Sequence, residues 1–360
     1  MTQPSNDIGL SAVADLFRQL QIDAEWSRPV ERGFAWIGLT LEQVIDAAPV
    51  RRDGEFRLAR LTARTRVVEG VSPDIPLPVI LNVVNAANRH AVGSAYSFDA
   101  DTRSMSAACV AWVHQDTYDY RCNQFGAYAA CQLAIAESEA DYLASALGGT
   151  VAGRQHPENG RRPERDDMLN WLDASTTWGP SRFADRDEFD SLVQFAQKTT
   201  VLATLGADES GVAFDVPFGN ESTRSAEHLP TALMQVLADQ PHRRAGAGLT
   251  VRLRLPLPLT PGEASAYANR FNLEEARGAA EATHYGAWCS DRWGTGDTVD
   301  LAYQLFLPNT LYRGGVTQDA VTSMVKRTRW VDWGLHGQVA KANAWTTMLG
   351  RFKGLLGSRS

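Results

Sequence analysis

Several chemistries are missing from this sequence. It holds no G-x-x-x-x-G-K-[ST] phosphate loop, no G-x-G-x-x-G turn, no H-E-x-x-H zinc helix and no G-x-S-x-G nucleophile turn. The seven histidines are scattered, with no i, i+4 pair and no C-x-x-C nearby to complete a metal site. Neither a metal nor a cofactor is expected. The four cysteines, Cys109, Cys122, Cys131 and Cys289, show no paired spacing and read as small buried hydrophobes in a reducing cytoplasm. The opening MTQPSNDIGL lacks the basic and apolar regions of a signal peptide, and no run approaches the roughly 18 apolar residues of a membrane span. A basic surface is missing too. The net charge is −7, and since Lys341, Arg351, Lys353 and Arg359 put +4 on residues 341–360, residues 1–340 carry −11. An acidic body excludes a nucleic-acid backbone as the expected partner.

What is present is a globular composition, 44% hydrophobic and 21% charged, on 360 residues, enough for two domains of about 150 residues. One stretch occurs twice. A strand, a proline-opened helix, a hairpin and a long helix run through 57–67, 76–91, 95–114 and 122–147, then through 250–259, 261–275, 283–307 and 315–333. Each middle helix carries an Asn-Arg pair, Asn88-Arg89 and Asn269-Arg270, which aligns the copies. A helix over 9–21, with Leu10, Val13, Leu16, Phe17 and Leu20, precedes the first copy, and a similar one with Phe189, Leu192, Val193 and Ala196 precedes the second. The domains are expected at 1–150 and 186–340. Residues 151–185 form a polar linker, because 153–167 is rich in Arg, Pro, Glu and Gly, and 341–360 form a tail.

Within the first unit, Thr40-Leu-Glu-Gln43 has the form of a capping box and predicts a helix start. The next strand alternates, with Ala59, Leu61, Ala63, Thr65 and Val67 on one face and Arg60, Thr62, Arg64 and Arg66 on the other. Three arginines on an open face suit an acidic partner, or are merely solvated or paired with neighbouring acids. In the following helix Asn82, Asn85 and Arg89 form a polar line opposite the apolar stripe. Asparagine is a poor helix former, so this line suits holding a peptide backbone or a carboxylate, or satisfying a nearby loop.

In the second unit, 200–205 and 211–216 predict a hairpin, and 225–238 predicts a helix with Leu229, Leu233, Val236 and Leu237 inward. Strand 250–259 repeats the alternation with Arg252 and Arg254, then Pro256 and Pro258, which place its end at or beyond a sheet edge. An edge is where an extended peptide can add, although proline also blocks such pairing. Trp293 sits on a glycine-containing loop as a candidate contact. In the tail, Trp345, Met348, Leu349, Phe352, Leu355 and Leu356 follow helical spacing among basic residues, which suits a partner groove, an anionic membrane surface or the chain's own second unit. Asp116, Tyr118, Asp119 and Tyr120 cluster before the long helix, where acids beside tyrosines suit acid–base work or simply a polar loop.

Residues 81–89 (LNVVNAANR) with the hairpin through Trp112, and more weakly 267–271 (YANRF) with the hairpin through Phe306, resemble the YbjN-like and type III secretion chaperone-like (TY-Chap) superfamily. The resemblance covers about two thirds of the chain in two copies. It implies an α+β fold of two tandem domains, each an antiparallel sheet packed by helices. It also implies a non-catalytic role, holding extended segments of a client protein. Relatives of that kind are commonly homodimers, and two units in one chain can replace that arrangement internally. The expected function is therefore a chaperone-like protein-binding module with Arg60, Arg64, Arg66, Asn82, Asn85, Arg89, Arg252, Arg254, Trp293, Trp345 and Phe352 toward the partner. A membrane-peripheral adaptor using 341–360 and an enzyme with an unrecognised site are the alternatives.

Overall fold

The computed structural model describes residues 7–53, 56–163, 177–199, 202–217, 231–291 and 299–336. These form a mixed α+β structure of two antiparallel sheets and six α-helices.

The chain begins with α1 (Ile8–Gln19), which starts because Asp7 accepts from the Gly9 and Leu10 amides at 2.9 and 3.1 Å. Strands β1 (Ser27–Val30), β2 (Gly33–Ile37), β3 (Glu42–Ala47), β4 (Arg51–Asp53) and β5 (Phe56–Glu69) follow as a meander. Helix α2 (Leu77–Asn88) then leads to the hairpin β6 (Ala95–Asp99) and β7 (Ser104–Val113), to α3 (Tyr118–Ala146), and to the short β8 (Thr150–Val151). The first sheet has the order β1-β2-β3-β5-β7-β6, with β4 and β8 beside β5.

The second half repeats this order. It runs α4 (Arg186–Thr199), β9 (Ala203–Ala207), β10 (Gly211–Pro217), β11 (Thr231–Leu237), β12 (Gly248–Leu259), α5 (Pro261–Ala276), β13 (Ala287–Asp291), β14 (Val299–Pro308) and α6 (Val316–His336). Its sheet order is β9-β10-β11-β12-β14-β13, the same path as the first. The registers define equivalent positions. Arg64 lies opposite Ala108 and Arg252 opposite Gln304; Tyr96 lies opposite Ala107 and Trp288 opposite Tyr303.

The alternation of β5 holds on its inner face and in part on its outer one, where Thr62 is buried and Arg60 half-buried. Ala59, Leu61, Ala63, Thr65 and Val67 are buried, while Arg64 and Arg66 are exposed. Small residues on β5 and β7 (Ala63, Ala107, Ala111) let α3 lie close, with Phe125, Ala129, Leu133, Ala136 and Ala140 against the sheet. Each large apolar side chain so buried stabilises the fold by about 1.5–3 kcal/mol. One contiguous core runs through both halves, from Leu16 and Phe125 to Trp288 and Met324. Helices α2 and α5 pack on each other and straddle the facing edge strands β6 and β13.

Two predicted helices are strands. Glu42–Ala47 pairs with β2 and β5, and Thr40 donates its hydroxyl to Glu137 at 2.6 Å instead of capping a helix. Thr231–Leu237 pairs with β10 and β12, burying Ala232, Met234 and Val236; residues 225–230 lie outside the described residues. The end of β12 behaves as expected: its pairing with β11 stops at Arg254, before Pro256 and Pro258. The stretch expected as a linker is held at both ends. Val151 pairs with Val68, Gly153 with Leu41, and Arg162 reaches the Ile37 carbonyl. At the far end Ser181 donates to the Gly248 carbonyl at 2.7 Å, and Phe183 is buried against Tyr312.

Candidate interaction surfaces and the closed seam

The asparagines of α2 and α5 do hold a peptide backbone, and it is the protein's own. Asn88 accepts from the Tyr96 amide at 2.7 Å and donates to the Tyr96 carbonyl at 2.8 Å. Asn272 does the same for Trp288, at 2.8 and 3.0 Å. Each asparagine thus closes its own half's edge strand. Two more reach across. Asn85 takes the Ser290 amide at 2.6 Å and gives to the Ser290 hydroxyl at 2.8 Å, while Arg89 donates to the Ser290 carbonyl at 3.0 Å. In return Asn269 takes the Phe98 amide at 2.7 Å and gives to the Phe98 carbonyl at 3.0 Å. A primary amide matches the donor and acceptor of one edge residue, so four of them satisfy groups that an edge strand otherwise leaves open.

This geometry corrects the alignment of the two copies. Asn85 corresponds to Asn269 and Asn88 to Asn272, so the repeated signal is Asn-x-x-Asn, and the Asn-Arg pairs are three residues out of step. Asn85 and Arg89 face the second half. Asn82 alone of that polar line is exposed without this duty.

Further contacts lock the seam. Val110 and His284 exchange backbone hydrogen bonds at 3.1 and 2.8 Å, and the Tyr128 hydroxyl donates to the Phe306 carbonyl at 2.9 Å. Arg121 pairs with Asp319 at 3.0 Å, Arg244 with Glu139 and Arg51 with Glu281. Arg60 donates to the Arg277 carbonyl beside Gly278, whose φ of +83° is in the left-handed region; a Cβ there would lie 2.6 Å from Arg60 Cδ. Arg60 is therefore occupied within the molecule, against the expectation that it faces a partner.

The arginines of the two long strands occupy equivalent positions but differ. Arg64 and Arg66 are exposed on the outer face of the first sheet. Arg64 lies near Asp46, a half-buried carboxyl that burial raises against the opposing pull of Arg64 and Arg60. Arg252 and Arg254 are half-buried; Arg254 is paired with Asp300, and Arg252 reaches Gln304 at 3.4 Å. Trp293, Trp345 and Phe352, and with the last two the whole tail, lie outside the described residues.

The Asp116–Tyr120 cluster is split up by packing. The Tyr118 hydroxyl donates to Asp15 at 2.7 Å, and the Tyr120 ring lies against the Arg121 and Arg313 guanidinium groups. Burial pushes the Tyr120 hydroxyl up to about 12. Among the described residues, no group of three or more His, Cys, Asp and Glu is placed to hold a metal ion, and no helix is long and apolar enough to cross a membrane. All four cysteines are buried and none forms a disulfide among the described residues; burial pushes the thiols of Cys122 and Cys289 up to about 12.

Sequence reasoning missed a buried charge cluster in the second half. Glu275 accepts from Arg327 Nε at 2.9 Å, from its terminal nitrogen at 2.7 Å and from Trp288 Nε1 at 2.6 Å, with His284 Nδ1 3.2 Å away. Burial alone would raise this carboxyl, but the Arg327 charge and His284 outweigh it and hold it well below the usual carboxylate range. Arg327 also lies over the Tyr303 ring, 3.8 Å from its centroid. The cluster ties α5, β13, β14 and α6 to the segment that bridges to Val110. No single residue type signalled it, because its members lie far apart in sequence.

Compared with protein-family models, curated proteins and solved structures, the chain matches none of them.

Proposed function

We propose that the chain is a non-catalytic protein-binding module: two tandem chaperone-like units, working in the cytoplasm, that hold or stabilise another protein. One observation carries this reading. The two halves share one strand and helix order, and their facing edges are sealed by reciprocal asparagines, as the subunits of a homodimer would be. A two-unit body of this kind leaves its outer sheet faces for a partner, and Arg64 and Arg66 offer charge there without an internal duty as close as that of Arg60 or Arg254. The resemblance of 81–112 to secretion chaperones points the same way.

The test is affinity isolation of the tagged full chain from its native host at native expression level. A second protein should be recovered in near-equimolar amount, and Arg64→Glu/Arg66→Glu should reduce that recovery without altering the thermal midpoint. If no protein accompanies the chain at low or moderate salt, the reading is wrong.

A further inference from the structure

Along their main strand paths the two sheets have four edges, and among the described residues three of them are closed. Strands β6 and β13 are sealed by Asn88, Asn269, Asn272 and Asn85. Strand β1 carries Pro29, which has no N–H to give, and Arg28 beside it is held on Glu42 at 3.0 Å. The segment from His156 to Arg162 packs nearby, with the His156 ring and the Arg162 guanidinium against Trp26. The fourth edge, β9, differs. Among the described residues it pairs only with β10, its five residues are all exposed, and none is charged or proline. Natural edges are usually guarded by charge, proline or a cover. Here the ladder slips between Ala213 and Phe214, leaving Leu205 as an extra residue that is 55% exposed.

The surroundings of β9 are acidic. Asp208 and Glu209 are exposed at the hairpin tip, Asp215 lies opposite Ala203, and Asp239 is exposed just past β11, against Lys198 at the end of α4. A second copy of this chain fits poorly. Antiparallel pairing of two β9 strands about Leu205 would bring the Asp208 and Glu209 tip of one to the end of the other where Asp215 lies on the next strand, and two slipped ladders would meet. A basic segment meets neither obstacle. Resting on the protein-binding reading above, we infer that β9 accepts a short, extended, lysine- or arginine-bearing segment of the partner as a seventh strand of the second sheet. Backbone hydrogen bonds would give affinity, Leu205 an apolar contact, and the flanking acids the preference for positive charge.

The probe is a fluorescein-labelled peptide, Lys-Val-Thr-Val-Thr-Val-Lys, with a Glu-for-Lys version and a version carrying proline at its centre. On the full chain, the lysine peptide should slow amide hydrogen exchange at 203–207, and each control peptide should bind at least about tenfold more weakly by anisotropy. Leu205→Lys, on an exposed edge, should leave the thermal midpoint unchanged and weaken the lysine peptide by about tenfold as well. Absence of protection at 203–207 at about 1 mM peptide, where even weak association registers, overturns the inference. So does equal binding by wild type and Leu205→Lys. A free chain that is already dimeric, and made monomeric by Leu205→Lys, would show that a copy occupies the edge and also overturns it. If native isolation recovers a partner equally well with Leu205→Lys, this site fails while the protein-binding reading stands.

Discussion

The two halves share a wiring diagram but close their interiors with different chemistry. In the first, the buried network around Trp36 is neutral. Trp36 Nε1 donates to Gln43 at 3.0 Å, and Gln43 donates to Gln132 at 2.7 Å and to the Ala129 carbonyl at 2.8 Å. In the second, the equivalent depth holds an ion pair, with Glu275 and Arg327 both at 1% exposure or less and Trp288 donating to the acid. A neutral network loses a hydrogen bond when a member is removed. An ion pair leaves a naked charge, which is far more costly. One topology thus tolerates two solutions, and they should break differently.

The largest expected effect follows. Arg327→Met strands Glu275 in the core and should cost about 3–5 kcal/mol in chemical denaturation. Gln132→Leu in the first half should cost about 1–2 kcal/mol, since Gln43 keeps its other partners. The double change Glu275→Leu/Arg327→Met should recover much of the loss. If Arg327→Met and Gln132→Leu cost the same, the contrast between the halves is empty.

Next in size are the seam asparagines. Asn85→Ala orphans a buried Ser290 amide and should cost about 2–3 kcal/mol; Asn269→Ala, at a half-buried site, should cost about 1–2 kcal/mol. Both should destabilise the molecule as one cooperative unit, because the core is continuous. Two separated transitions in the calorimeter would show that the halves fold independently.

The acid limb sharpens the same comparison. The folded-state affinity of Glu275 for a proton is depressed relative to the unfolded chain, so its contribution is complete above the unfolded carboxylate pKa, about 4.3. It is lost as pH falls below that toward the depressed folded value. Glu275→Gln should flatten the fall in stability between about pH 4.5 and 2, while Gln132→Leu should leave its slope unchanged. An unaltered slope in Glu275→Gln would show that other acids govern the limb.

The sequence revealed the strands and helices where one period dominates, as on β5, where burial alternates from Ala63 to Val67, and on α1. It misled where two readings share a pattern. Thr40-Leu-Glu-Gln43 has the same form as Thr260-Pro-Gly-Glu263, yet only the second is a capping box, with the Glu263 amide 3.3 Å from the Thr260 hydroxyl. What separates them is the sequel: Val44 to Ala47 alternates in burial, while Ala264, Ala268 and Phe271 follow a helix. Leu233 and Leu237 sit at helical spacing too, yet they are the half-buried face of β11, whose buried face is Ala232, Met234 and Val236. The arginine face was legible as a face. That Arg60 and Arg254 are spoken for, and Arg64 and Arg66 exposed, depends on Arg277 and Asp300, which only tertiary packing brings near.

That last difference yields the smallest effect on stability and the most direct test of the surface. Arg64→Ala and Arg66→Ala remove exposed charges and should each change stability by no more than about 0.5 kcal/mol. Arg254→Ala breaks a half-buried pair with Asp300 and should cost about 1 kcal/mol, discounted for the solvent that still reaches both groups. Binding should rank them in the reverse order. Recovery of a partner from native cells should fall with the Arg64 and Arg66 variants and persist with Arg254→Ala. Equivalent positions in a repeated fold would then have divided the work, one pair of arginines holding the sheet and the other holding the partner. If Arg254→Ala abolishes recovery while Arg64→Ala/Arg66→Ala does not, the assignment of faces is reversed, and the second sheet is the one that meets the partner.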